Sequence, residues 1–196
     1  MRRCCMAGHD QLELDVAYHG GQIINLTPDA DWVSLRKIEI PSKNIGYDYA
    51  HEEKSRGHII AVLPFRVSYV SGNREYLIRS EVIPPWGLAP QTCAVTGSWD
   101  KEGETFDEVA VREMLEETGF TVTLGELIDL GTCRGTKALD TVYHLYAVDT
   151  SGKIPEEPTG DGSEMEALAG MLWVESLVDV EDPLVPTMFL RLQSKG

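Results

Sequence analysis

Residues 97–120 read GSWDKEGETFDEVAVREMLEETGF, and the rest of the chain is read outward from them. The spacing predicts one loop feeding one helix. Thr105 with Glu108 three residues later forms a capping box, which satisfies orphan N–H groups of the first turn. No Gly or Pro interrupts Thr105 to Glu117. Gly119 stands where a helix ends in a left-handed residue.

At about 100° per residue, Phe106, Val109, Ala110, Glu113 and Glu117 share one face, and Glu116 flanks it. A solvated acidic helix would set its carboxylates opposite the apolar stripe. Here Glu113 and Glu117 continue that stripe inward. Like charges brought together in a partly buried place are costly unless a cation joins them. All-oxygen ligands suit a hard cation such as Mg²⁺ or Mn²⁺. Without one, the cluster is expected to store repulsion, so neutralising Glu113 and Glu117 should raise the melting temperature. Arg112 lies four residues before Glu116 and is expected to pair with it.

The stretch resembles the Nudix box, G-x5-E-x7-R-E-U-x-E-E-x-G-U with U apolar, over Ser98 to Phe120. Glu104, Arg112, Glu113, Met114, Glu116, Glu117, Gly119 and Phe120 stand in the family's places. Ser98 replaces the first Gly of the pattern, with Gly97 one place earlier. A Ser there costs about 1–2 kcal/mol if the position requires positive φ.

The resemblance implies an α/β/α sandwich with a mixed sheet, and hydrolysis of a nucleoside diphosphate linked to another group X. It implies Mg²⁺ or Mn²⁺ held by Glu113, Glu116 and Glu117, with Glu104 joining through water. Carbonyls of the Gly97 loop complete the shell, and Arg112 orients a glutamate. The catalytic set it implies is Glu116, Glu117 and Arg112. A general base outside the box is expected at Glu164 or Glu166; the alternative for both is an ordinary surface acid. Trp86 and Trp99 flank the motif and either stack on a substrate base or pack across their loops. Arg79 and Arg134 are candidates for phosphate or sugar contacts, as is Lys137; the alternative for each is a solvated charge.

The identity of X is left open. A Pro about fifteen residues past the box would resemble the ADP-ribose subgroup, and Asp129 to Gly135 has none. A Tyr slightly later would resemble the dinucleoside polyphosphate subgroup, and Ala138 to Asp140 has none. An ADP-ribose or nucleotide-sugar type is favoured by the long N-terminal extension, which in such relatives often helps build a homodimer. The alternatives are a nucleoside triphosphate sanitising enzyme and a binding module that no longer cleaves. The full set of box carboxylates argues against the module.

The chain has 196 residues, 42% apolar and 25% charged, enough for one sizeable domain. Its net charge of −15 repels nucleic acid and anionic membranes at long range, and free nucleotides as well, so the small-nucleotide partner that the resemblance implies needs a divalent cation as mediator. The four cysteines show no C-x-x-C spacing and are read as reduced thiols. The five histidines show no ligand spacing. The start carries no apolar h-region and no run approaches a membrane span, so a cytoplasmic location is expected.

Along the chain, 1–55 reads as an extension and 56–196 as the hydrolase domain. Residues 1–10 are expected to be disordered and Leu12 to Tyr18 to be a strand by alternation, with Gln22 to Leu26 returning. Residues 42–57 read as a connector. His58 to Val70 is the longest strand, with Pro64 marking an edge or bulge. Ser71-Gly72-Asn73 is a hairpin turn. Gln91 to Thr96, Thr121 to Leu130, Asp140 to Val148 and Met171 to Val174 read as further strands, and Ser151 to Ser163 as a mobile loop. Asp182-Pro183 starts the C-terminal helix.

Overall fold

The structure, a computed structural model, describes residues 8–158 and 169–195, with side chains from residue 12 onward. The chain divides into two compact units. The first draws on the chain up to Ile59, Ser98–Glu102 and Thr132–Tyr143; the second on Ile60–Gly97, Gly103–Gly131 and the chain from His144. Among the described residues no helix is long and apolar enough to cross a membrane.

In the first unit, helix α1 (Gly8–Tyr18) precedes a three-stranded antiparallel sheet of β1 (Gln22–Asn25), β2 (Val33–Ile40) and β3 (Ile45–Glu52), in that order. Two expectations are corrected here. Leu12 to Tyr18 is helical, because Leu12 and Val16 fit a four-residue repeat as well as a two-residue one. Val16 alone of that pair is buried, and Gly20, with φ +68°, turns the chain out of the helix. β1 therefore pairs with β2.

Residues 42–57 are not a connector, since β3 pairs with all of β2 from Ile40↔Ile45 to Val33↔Glu52. Its polar residues mislead because one of them, His51, is buried and has a partner. Its Nδ1 lies 2.9 Å from Asp140 Oδ2. The same segment is held by the Ala50 N–H donating to Ala138 O and the Tyr47 hydroxyl donating to Lys137 O. Val33 and Leu35 stay exposed on β2, as does Trp32 just before it.

The larger sheet contains β4 (His58–Val67), β5 (Arg74–Val82), β6 (Pro90–Cys93), β7 (Val95–Ser98), β8 (Leu127–Cys133), β9 (Val142–Asp149) and β10 (Gly170–Val174). Its order is β10-β5-β4-β9-β8, with β6 on β5 and β7 on β4. β5 is antiparallel to β4, β6 and β10. β9 runs parallel to β4, because the Val142 N–H donates to Gly57 O and the Thr150 N–H to Phe65 O. The sheet is therefore mixed.

Pro64 lies in an interior strand. The β4–β5 ladder begins one residue later, at Phe65↔Tyr76, so the missing N–H falls outside that ladder. The expected strand Gln91 to Thr96 is two, separated at Ala94, since one half pairs with β5 and the other with β4. Thr121 to Leu130 opens with a 3-10 turn, Leu124–Glu126, before β8 begins.

Helix α2 (Phe106–Thr118) buries Val109, Ala110 and Met114, and helix α3 (Leu184–Gln193) buries Val185 and Met188. The start of the expected mobile loop is tethered. The Glu156 N–H donates to Gly119 O, and Lys153 Nζ reaches Glu126 at 2.7 Å and Thr121 O at 3.2 Å. The hydrogen bond from Lys153 holds the Glu126 carboxyl down to about 2.

Asp182 joins α3 to the sheet. It is 5% exposed; Oδ1 accepts from the Leu184 N–H at 2.8 Å and Oδ2 from the Ala94 N–H at 3.0 Å. Asp182→Ala leaves two buried donors unpaired, at a cost of about 2–3 kcal/mol. Calorimetry should show the melting temperature lowered by roughly 5–10 °C. An unchanged melting point would remove Asp182 from the scaffold.

Candidate active site

The box helix starts and stops as the local sequence dictates. Thr105 Oγ1 accepts from the Glu108 N–H, and the Glu108 carboxylate accepts from the Thr105 N–H at 2.7 Å. Gly119 has φ +71° and donates to Leu115 O. The inward face is as read: Glu113 is 6% exposed, Glu117 has a side chain 13% exposed, and Glu116 is half-buried.

Arg112 gathers three of the carboxylates. Its Nη1 lies 2.7 Å from Glu113 Oε1 and 2.9 Å from Glu116 Oε2, and its Nε lies 3.2 Å from Glu104 Oε1. Burial works against its charge. The hydrogen bond with Glu104, the charge of Glu113 and the hydrogen bond with Glu116 nevertheless hold its pKa above the ordinary arginine value.

The fourth carboxylate, Glu117, faces Arg79 of β5. Arg79 is 7% exposed. Its Nη1 is in ion-pair contact with Glu117 Oε2, and its Nη2 lies 3.4 Å from Glu81 Oε2. Glu81 in turn accepts from the Cys93 thiol at 3.3 Å. Desolvation first, and then the Glu81 charge, push that thiol well above the usual cysteine range, so it stays protonated. Glu81 was not among the residues singled out from the sequence. Its signal was present, since residues two apart on a strand share a face.

Gly97 is required for space. A Cβ there would overlap the Glu113 carboxyl group. Ser98 carries no strain of the kind its substitution raised: the described non-glycine residues with positive φ are Asn44 and Arg56. The glycine this site needs is therefore the one already present a position earlier.

Among the described residues no three of His, Cys, Asp and Glu form a ready metal cage. The donor set nonetheless suits a hard cation. Its oxygens are carboxylates, Glu117 Oε2 is buried against the Arg79 guanidinium, and the absent side chain at Gly97 leaves room for Glu113.

Trp86 is half exposed in the loop after β5. Trp99 belongs to the first unit, where His58 meets its ring edge-on at 5.7 Å and the Arg56 guanidinium lies 5.5 Å from its centre. Arg134, in the same unit, donates from Nη1 to Asp140 O at 2.6 Å. Glu164 and Glu166 lie outside the described residues.

No curated protein matches the chain in sequence. Several solved structures are similar to it. An ADP compounds hydrolase is similar over 89% of this chain and 91% of its own, with a TM-score of 0.61 and 15% identity. A NUDIX hydrolase from Nitrosomonas europaea covers 70% of this chain and 88% of its own, with a TM-score of 0.49 and 18% identity. The Nudix hydrolase RenU from M. Smegmatis covers 78% and 90%, with a TM-score of 0.47 and 15% identity. The architecture is thus the α/β/α sandwich expected from the box. A sequence profile of the NUDIX domain matches residues 70–188, more than half of the chain and the whole of the box helix, and the chain therefore belongs to the Nudix family of pyrophosphohydrolases.

Proposed function

We propose that the chain hydrolyses the pyrophosphate bond of a nucleoside diphosphate linked to a second group, of ADP-ribose or nucleotide-sugar type, with Mg²⁺ or Mn²⁺. In this reading residues 56–196 are the hydrolase domain and 1–55 an extension. The observation that carries it is the convergence of Glu104, Glu113 and Glu116 on Arg112, beside a Glu117 whose Oε2 is buried. Glu113, Glu116 and Glu117 would hold the cation. Once bound, it neutralises pyrophosphate charge and makes water a better nucleophile at neutral pH.

The protein's own part is positioning. Arg112 bridges Glu104, Glu113 and Glu116, so these carboxylates are aimed before substrate arrives. Gly97 lets Glu113 take its place without displacing backbone. Trp86 offers an exposed ring for a base to stack on. The solved ADP compounds hydrolase, alike in fold, bears a name in keeping with this substrate class.

The test is a panel of ADP-ribose, nucleotide sugars, dinucleoside polyphosphates and nucleoside triphosphates, incubated with Mg²⁺ and resolved by mass spectrometry. The expected products are a nucleoside monophosphate and a phosphorylated second group from ADP-ribose or a nucleotide sugar, with no turnover in EDTA. Release of pyrophosphate from triphosphates alone would replace this reading with a sanitising one. Nucleotide binding without any cleavage would replace it with a binding module.

A further inference from the structure

We propose that one nitrogen of Arg112 competes with the divalent cation for Glu113 and Glu116, so that the cation binds by exchange with it while Glu104 retains the arginine. The proposal rests on the reading of Glu113 and Glu116 as metal ligands. It deepens that reading by making Arg112 a competitor of the metal, and Glu104 a residue that acts on metal affinity through Arg112.

The fork of Arg112 is divided between two tasks. Its Nη1 alone bridges the two carboxylates read as metal-holding, 2.7 Å from Glu113 Oε1 and 2.9 Å from Glu116 Oε2. Its other two nitrogens turn to Glu104, with Nε 3.2 Å from Oε1 and Nη2 3.3 Å from Oε2. Glu113 and Glu116 lie on one turn of α2, whereas Glu104 precedes that helix. The bridging nitrogen carries part of a delocalised positive charge. It therefore does what a cation would do there, and lets two carboxylates approach each other. Glu113 is buried, and a buried carboxylate needs such a partner at all times.

A divalent cation and Nη1 seek the same lone pairs, and their like charges repel. Arginine does not lose its proton in proteins, so it gives way only by moving. Its two bonds to Glu104 are on the other edge of the fork and need not break. Exchange therefore gives up the two shorter hydrogen bonds and keeps the two longer ones. The protein is in consequence a weaker metal site than the same carboxylates would make without the arginine. A departing cation is replaced without leaving Glu113 unpaired.

Mn²⁺ binding to the nucleotide-free protein, followed by electron paramagnetic resonance, tests the exchange. Arg112→Gln should bind Mn²⁺ about fivefold or more tightly than wild type. Lys195→Gln, which removes the same charge at an exposed residue beyond α3, should alter the affinity by less than about twofold. An arginine that only aims the carboxylates would weaken Mn²⁺ binding when removed. Glu104→Gln leaves Arg112 to Glu113 and Glu116 alone and should weaken Mn²⁺ binding about threefold or more. In the Arg112→Gln background the same change should matter by less than about twofold. A Glu104 that bears on the cation directly would weaken binding equally in both backgrounds.

Unchanged or weaker Mn²⁺ binding by Arg112→Gln overturns the proposal while leaving Glu113 and Glu116 as ligands. Should Arg112→Gln not fold, nitrogen-15 NMR of the wild-type guanidinium decides. Mg²⁺ should then change the Arg112 Nη signals and leave its Nε–H signal in place, and Nη signals that Mg²⁺ does not change overturn the proposal. Absence of Mn²⁺ binding from both wild type and Arg112→Gln removes the metal reading and this inference together.

Discussion

Glu113→Gln and Glu117→Gln are each expected to lower kcat by about 100-fold or more, as loss of a metal-holding carboxylate does. Glu113 is the more deeply buried of the two and is wedged between Gly97 and the Arg112 guanidinium. Glu117 carries a buried oxygen in ion-pair contact with Arg79. Glu108→Gln is the control. Its carboxylate serves the helix cap, a task Gln also performs, so kcat should stay within about twofold. Steady-state rates at saturating Mg²⁺ give the answer, and wild-type turnover in both site variants would end the catalytic assignment.

The same pair corrects the stability sign expected from the sequence. Four carboxylates at one place suggested stored repulsion, so that neutralising two of them would raise the melting point. The structure puts a guanidinium against each of the four. Removing Glu117 leaves Arg79 buried with a single carboxylate at 3.4 Å, and breaking a buried pair from one side is destabilising. The metal-free double variant should therefore melt below wild type.

Gly97→Ala is expected to lower kcat by about tenfold to 100-fold with only a modest loss of stability. The added methyl overlaps the Glu113 carboxyl group and its Cγ, the outer part of a flexible side chain. The carboxylate swings away while the backbone stays, so the packing cost is about 1–3 kcal/mol and the larger loss falls on positioning. Ser98→Gly supplies the contrast. It restores the usual box letter at a residue whose φ is not positive, so kcat should change by less than about threefold. Equal effects of the two substitutions would show that the close approach at Gly97 is not what holds Glu113.

What the sequence determined by itself was local. The capping box at Thr105 and Glu108, the left-handed stop at Gly119, the inward face of Glu113 and Glu117 and the Arg112–Glu116 pair all rest on contacts three or four residues apart. Helix geometry alone fixes such contacts. Only the tertiary structure decided where non-local partners fall. Alternation at Leu12 to Tyr18 fits two periods, and burial of Val16 in a helix selected one. The run Gln91 to Thr96 splits because its halves find different neighbours. Buried His51 made β3 look like a loop until Asp140 supplied its partner. The site follows the same rule. Helical spacing gathers the carboxylates, but the charge that balances Glu117 comes from a distant strand, and the room for Glu113 comes from an absent side chain in another. Spacing along one helix carries no information about either, because both are set by which strands lie against it.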